Sequence, residues 1–325
     1  MPTKPPRPLS IQAVIAAQVS RSMGRAPVVL NTSTSRSASR PAVRSRPSWL
    51  SSTVKAPLSR AISCSASSED DSPPAGRLAN LDVLVFSTTG ALPIDRETWA
   101  AITAWIDSGR GGFVGIHSAA DTALAFEGGE AAYTAFLGGR FDGHPWTQGT
   151  PIRLSNLEPS HPLVAAWPDG TPYAEEIYQY AGYRPARVRV LQTLDMTAGP
   201  LRRPYPVPVT WVRQIGQGRL FYTNLGHTPS TWDDPRFRDQ IIDAIRWTGH
   251  RLNAPAMPNP DVQDRAAITA FVAAQDLDLP SGYAGPGLAE EIRRLQTLHP
   301  EKQGGDASAW DAGLARIRTA LAGKS

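Results

Sequence analysis

Beyond Leu81 the chain alternates between short, nearly continuous apolar runs and longer segments whose apolar residues recur at helical spacing. Asp82-Val83-Leu84-Val85-Phe86-Ser87 is such a run, and its lack of polar alternation predicts a strand buried on both faces. Ser87-Thr88-Thr89-Gly90 reads as a polar turn. Asp95 then stands as the cap of a helix carrying Trp99, Ile102, Trp105 and Ile106, ended by the glycines from Gly109 to Gly112. Phe113-Val114-Gly115-Ile116 predicts the next strand. Strand, helix and strand joined by short links make a βαβ unit, and such units build parallel sheets.

The pattern continues with a helix over Glu130 to Leu137 and a strand over Val188 to Leu194. Val207 to Ile215 and Arg219 to Thr223 flank Gly216-Gln217-Gly218 and read as a β-hairpin with a three-residue turn. Asp234-Pro235 starts another helix, with Phe237, Ile241, Ile245 and Trp247 on or near one face, stopping near Gly249. A Pro-rich stretch runs through Pro260, and residues 262–325 predict two or three helices, clearest over Ala267 to Ala274 and Leu288 to Leu298.

Composition changes the picture mainly at the N-terminus. Residues 1–68 hold ten Lys or Arg, 16 Ser and no Asp or Glu, which leaves 23 basic against 29 acidic residues in 69–325. The net charge of +4 therefore belongs to the arm, and the rest of the chain has no basic excess to suggest nucleic acid. Residues 1–78 read as a disordered Ser/Arg/Pro-rich arm, with Pro27-Val28-Val29-Leu30 as its one short stretch suited to a strand. The arm also has the composition of an organelle targeting segment. Residues 79–250 then form an α/β domain, and 251–325 a helical extension. No run approaches the ~18 apolar residues needed to span a bilayer. The single cysteine, Cys64, can make no internal disulfide, which suits a reducing, cytoplasmic compartment.

Ligand sites in open α/β sheets lie at the carboxyl ends of strands. Three such ends carry polar residues: Thr89 after the first strand, His117, Ser118 and Asp121 after the second, and His227 after the hairpin. His144 lies in the loop Phe141-Asp142-Gly143-His144-Pro145. Asp121 is placed to fix the tautomer of His117 and raise its basicity; alternatively, Asp121 caps the next turn and His117 merely satisfies a backbone group. Glu175-Glu176-Ile177-Tyr178 sets an acidic pair beside an aromatic; one carboxylate facing the pocket would serve as general base or metal ligand, or both would be solvated. Trp211 and Trp232 suit stacking on a sugar, or a core or lid role. His161 reads as a turn or helix start, and His250 as a helix end. Gly115-Ile116-His117-Ser118-Ala119 has the outline of a nucleophile elbow, but with His at the elbow position, which disfavours covalent acyl chemistry.

These stretches, together with Leu137-Gly138-Gly139-Arg140-Phe141, Pro208-Val209-Thr210-Trp211 and Gly218 to His227, resemble the ThuA-like (trehalose utilisation) domain proteins of the class I glutamine amidotransferase-like superfamily, over about residues 79–250. The resemblance implies a flavodoxin-like, mostly parallel sheet flanked by helices. It implies a pocket using His117, His144, Glu176 and His227, with no counterpart of the amidotransferase cysteine, so glutaminase activity is not expected. Members usually begin with a strand and helix ahead of the equivalent of Leu81. Here the arm stands in that place, either as a genuine extension or as an aberrant translation, with Val28-Val29-Leu30 as a remnant of the strand.

Two function classes follow. The first is a carbohydrate-modifying enzyme acting on trehalose, another disaccharide or a keto-sugar. Its catalytic residues would be His117, Asp121 and Glu176, with Thr89, Ser118, His144, Tyr178, His227 and Trp232 on the substrate. His117, His144 and His227 would then hold a divalent metal such as zinc. The second is a non-catalytic carbohydrate-binding or regulatory domain. A third outcome is the inactive product of a damaged gene. The expected partners are a small-molecule sugar and, as a homo-oligomer, further copies of the chain; nucleic acid and membrane are not expected.

Overall fold

The computed structural model describes the backbone of residues 28–32 and 62–65, then Leu78, residues 81–275, Leu277 and residues 286–322. Strands β1 (Val28–Thr32) and β2 (Ile62–Ser65) fall inside the segment expected to be a disordered arm. β1 runs parallel to β3 (Val83–Thr88), with Val28 opposite Leu84, and β2 pairs with its far side. The run Val28-Val29-Leu30 is the kind of sequence that accepts a place in a parallel ladder, and here it does so as a strand of the sheet. Apart from Leu78, the remainder of the arm lies outside the described residues.

All six residues of β3 are buried, as its unbroken apolar run requires. After β4 (Gly90–Leu92) comes α1 (Arg96–Asp107), whose Asp95 cap accepts the Thr98 amide proton at 2.7 Å. β5 (Gly112–Ile116), a short 3₁₀ turn, β6 (Thr122–Leu124), α2 (Gly129–Leu137) and β7 (Arg140–Phe141) follow. The chain then makes β8 (Trp146–Asn156), β9 (Thr171–Ile177), β10 (Tyr180–Ala181), β11 (Arg189–Leu194), β12 (Pro208–Ile215) and β13 (Gly218–Thr223). Helices α3 (Pro229–Asp233) and α4 (Pro235–Thr248) complete the α/β unit. Helices α5 (Pro260–Gln275), α6 (Pro286–Gln296) and α7 (Ala307–Ala322) form the extension.

Among the described residues the main sheet has nine strands, ordered β2-β1-β3-β5-β13-β12-β11-β8-β9. The first five are parallel, and every pairing beyond β13 is antiparallel. The expectation of a mostly parallel sheet is therefore corrected to a mixed one. The reason is clearest in the connectivity of β12 and β13: parallel neighbours need long crossovers, whereas these two are joined by a two-residue turn that only antiparallel pairing allows. Ile215 pairs directly with Gly218, so the hairpin turn is the two residues Gly216-Gln217, one fewer than expected. Gly218 lies so close to the end of α1 that a Cβ there would sit 2.0 Å from the carbonyl oxygen of Ile106.

Two apolar layers cover the sheet. Phe237, Ile241, Ile245 and Trp247 of α4 pack on one face, and Trp99, Trp105, Tyr133 and Phe136 of α1 and α2 on the other. Trp211 is wholly buried and donates its Nε1 proton to the Leu137 carbonyl at 2.9 Å, so it belongs to the core. The extension has a small core of its own around Phe271, Ile292, Leu295 and Trp310. Asn259 ties it down: its side chain accepts from the Val190 amide at 2.9 Å and donates to the Val190 carbonyl at 2.8 Å. These are the ladder groups of β11 that β8, whose pairing with β11 stops at Gln192, leaves open.

Two predictions concern this framework. Gly218→Ala should lower stability by about 1–3 kcal/mol, because the obstructing atom is backbone and cannot swing away; urea denaturation measures it. His161 is buried, donates from Nε2 to the Pro255 carbonyl at 3.1 Å and accepts the Leu163 amide at Nδ1, so both nitrogens are engaged in the neutral form. Burial is the main cause that holds its pKa below the ordinary 6.5, against the upward pull of the Pro255 carbonyl and Glu158. Its contribution is thus present above pH 6.5 and lost as pH falls through the lower folded value. Urea midpoints should fall with acidification over that window, and less steeply for His161→Gln; equal slopes in both proteins would count against this assignment.

Candidate functional site

β5 and β13 are parallel neighbours, with Ile116 opposite Thr223, so the residues just past both strands emerge side by side. His117 opens the 3₁₀ turn His117–Asp121 with φ of 42°, a left-handed conformation uncommon for a residue other than glycine. Three contacts hold it there. The Tyr222 hydroxyl donates to its carbonyl at 2.8 Å, its Nδ1 lies 2.7 Å from the Asn224 carbonyl, and the Tyr178 ring packs at 4.2 Å. A carbonyl can only accept, so Nδ1 carries the proton and the Nε2 lone pair is left facing outward.

That lone pair meets two further groups. Nε2 is 3.4 Å from Oε1 of Glu176, at the end of β9, and 3.2 Å from Nδ1 of His227. His227 Nδ1 is in turn 3.3 Å from the same Glu176 oxygen. Among the described residues this is the cluster whose donor atoms converge tightly enough for a metal ion. Metal bonds of about 2.0–2.1 Å in a tetrahedral arrangement put their ligand atoms about 3.3 Å apart, which is the side of this triangle. With the His117 proton on Nδ1, a neutral His227 that carries its proton on Nε2 makes all three atoms lone-pair donors.

The electrostatics favour those forms. Burial holds His227 below the ordinary imidazole value, helped by His117 and opposed by Glu176. Burial pushes the Glu176 carboxyl up, but the surrounding imidazoles of His117, His227 and His144 outweigh it, and the carboxyl sits below its usual range. Burial also drives the Tyr178 phenol far up, so it stays protonated.

Side chains alternate along a strand, so Glu175 points away from its neighbour. It is wholly buried, and its carboxylate accepts from the amides of Glu176 at 3.0 Å, Gly226 at 3.2 Å and Thr228 at 3.2 Å, and from the Thr231 hydroxyl at 2.5 Å. Trp232 donates its Nε1 proton to the Gly226 carbonyl at 2.8 Å. Between them they fix both sides of the Gly226 peptide, at φ of 118°, and thereby aim His227.

The sequence-derived candidates divide. His117, Glu176 and His227 converge, with Tyr178 against His117. His144 is half-exposed, its Nδ1 3.8 Å from the other Glu176 oxygen, so Glu176 and not His144 completes the tight set with the two histidines. Asp121 does not orient His117. The turn carries it to the far end, where it accepts the Thr89 hydroxyl at 2.5 Å, and the Asn224 carbonyl does the orienting instead. Ser118 is half-buried in that turn. Trp232 is buried against Phe237 and supports the His227 loop, so it is not placed to stack on a sugar. Glu176 is the carboxylate of the acidic pair that faces the cluster, while Glu175 is buried rather than solvated, and the role of Asn224 has no counterpart in the sequence reading. Asn224 also clasps Tyr178 through its amide, accepting from its N–H at 3.1 Å and donating to its carbonyl at 3.0 Å.

Fold and cluster together define an α/β protein with a two-histidine, one-carboxylate centre at the carboxyl ends of its strands. The chain belongs to the ThuA family, described as trehalose utilisation, whose model matches residues 45–248. A solved ThuA-like protein from Bacteroides uniformis is 17% identical, with 70% of this chain and 92% of that chain covered and a TM-score of 0.50. A second, from Parabacteroides merdae, is 15% identical, covering 73% and 98%, with a TM-score of 0.46. A cytoplasmic protein from Salmonella typhimurium is 15% identical, covering 68% and 98%, with a TM-score of 0.43. None of the curated proteins matches the chain. No helix among the described residues is long and apolar enough to cross a membrane.

Glu175→Gln should lower stability by about 1–3 kcal/mol, since an amide nitrogen then faces donors that a carboxylate had satisfied. Hydrogen exchange should quicken at Gly226 and Thr228 before it does in β13. Unchanged protection there would show that the loop is held by something else.

Proposed function

We propose that the chain acts in carbohydrate metabolism as an enzyme on a disaccharide such as trehalose, or on a keto-sugar, through a divalent metal held by His117, Glu176 and His227. The observation that carries this reading is the triangle of donor atoms, 3.2, 3.3 and 3.4 Å on its sides, with the His117 tautomer fixed by a backbone carbonyl. Two imidazoles and a carboxylate suit zinc, and three protein ligands leave one position for substrate or water, as in catalytic sites. When bound, such an ion polarises a carbonyl or makes a water molecule nucleophilic.

The chain's own groups supply the rest. Asn224 keeps His117 in one tautomer. Glu175 and Trp232 keep His227 on target. His144, half-exposed and stacked beside Phe141 at 5.8 Å, is placed to exchange a proton with a sugar hydroxyl. The partly exposed Phe141 ring, set edge to face against the buried Tyr178 ring at 4.6 Å, offers an apolar surface beside His144 for a pyranose to pack on. The flavodoxin-like order of the parallel strands and the elbow at His117 fit the amidotransferase-like superfamily, yet an imidazole stands at the elbow and glutaminase chemistry is left out of the reading. A cytoplasmic location and a small-molecule sugar partner belong to the same proposal.

Elemental analysis of the purified full chain should give about one zinc per molecule, and His117→Ala and Glu176→Gln should lose it. Because burial depresses His227, metal retention should persist to below pH 6.5 and then fall as the imidazole protonates, which equilibrium dialysis across pH would follow. A screen of disaccharides and their keto derivatives should show product formation that stripping the metal abolishes. Thermal stabilisation by sugar without any product would favour a binding domain, and turnover unchanged in stripped protein would refute the metal.

A further inference from the structure

Helices α5 to α7 lie beyond the stretch matched by the family, and their junction with the α/β unit forms a half-open cavity of about 630 Å³, a size suited to small organic ligands. Tyr180, Tyr183 and Tyr205 line it from the α/β unit, Ala267 of α5 and Thr297 from the extension, and Lys302 from the turn between α6 and α7. This lining is mostly apolar; its charged residues are Asp142, Asp264, Glu290, Arg293, Arg294 and Lys302, the one ammonium group among them.

Lys302 is placed unusually for a lysine. Its Nζ donates to the Tyr180 carbonyl at 3.2 Å and lies 4.5 Å over the Tyr205 ring. Among the described residues no carboxylate forms an ion pair with it. The nearby acids have other partners: Glu301 pairs with Arg203, and Asp142 accepts the Gln303 amide proton at 3.3 Å. The neighbouring cation on the wall, Arg293, is paired with Asp264. Burial pulls the Lys302 pKa down to about 8, against the upward effect of Asp142. A half-desolvated ammonium with one carbonyl and one ring for company gains more from an anion than a solvated lysine does.

We propose that this cavity is a second ligand site, taking a small carboxylate with a flat apolar ring system, its carboxylate on Lys302 and its ring against the tyrosines. The site is separate from the His117 cluster and does not depend on the metal. It is joined to the His144 loop, however. Gln179 Nε2 donates both to the Asp142 carbonyl at 2.7 Å and to the Glu301 carbonyl at 3.0 Å, two residues from His144 on one side and next to Lys302 on the other.

The test uses the full chain with 2-naphthoate as probe and its neutral analogue 2-naphthamide as control, followed by calorimetry and probe fluorescence. Naphthoate should bind at least tenfold more tightly than naphthamide. Lys302→Met should remove that preference, Lys302→Arg should keep it, and Thr297→Trp should block both probes by filling the cavity while leaving Lys302 in place. Thermal melts confirm that each variant is folded, and Lys302→Arg and Thr297→Trp keep the test decisive should Lys302→Met not fold. Equal binding of the two probes, naphthoate binding indifferent to Lys302→Met or to Thr297→Trp, or no binding at millimolar probe would overturn the proposal.

Discussion

The candidate site depends on one hydrogen bond, from Nδ1 of His117 to the backbone carbonyl of Asn224. It forms because β5 and β13 are adjacent and parallel, in a register that brings the first residues past each strand together. The bond decides where the imidazole proton sits, and hence that the other nitrogen presents a lone pair to Glu176 and His227. Reversing the tautomer would leave a buried carbonyl without its donor and aim an N–H at the cluster. The ladder of the sheet thus controls the chemistry of a ring that it does not touch.

The same economy appears at Glu175 and Glu176. Two adjacent carboxylates on one strand would repel if they shared a face, but a strand sends them to opposite sides. Glu176 joins the histidines. Glu175 goes inward and is tolerated there because three backbone amides and hydroxyls of Thr228 and Thr231 surround it. Four of those contacts come from the segment Gly226 to Thr231, so the buried carboxylate and the aim of His227 are a single structural fact.

Much of this was legible in the sequence where one residue type implies one environment. The unbroken apolar runs announced β3 and β5, and Asp95 and Asp234 announced their helices. His117 and His227 could be chosen because they stand at strand ends, and Glu176 because it belongs to an acidic pair beside an aromatic and to the family resemblance. The long strands β8 and β9 were not foreseen, since Thr147 to Pro151 and the acids of β9 break any alternation. Asp121 could be read equally as the partner of His117 or as a cap; the 3₁₀ turn, with three residues per turn and a rise of about 2 Å per residue, carries it to Thr89 instead. Asn224 left no signal for its main role, because the atom that holds His117 is a carbonyl oxygen that every residue has. Its side chain gives the reason for Asn, clasping Tyr178 from both sides.

The strain at His117 bears on what the elbow does. A non-glycine residue with φ of 42° costs about 1–3 kcal/mol and persists only where its surroundings overdetermine it. In an acyl-transfer elbow such a turn lifts a nucleophile clear of the sheet so that it can attack. Here the ring is buried, bonded on one nitrogen, packed by Tyr178 and faced by two further ligand-type groups on the other. A side chain so enclosed is poorly placed to attack a carbon atom and well placed to hold a fixed point in space. The backbone geometry that elsewhere presents a reacting atom therefore serves, with an imidazole in it, to present a lone pair.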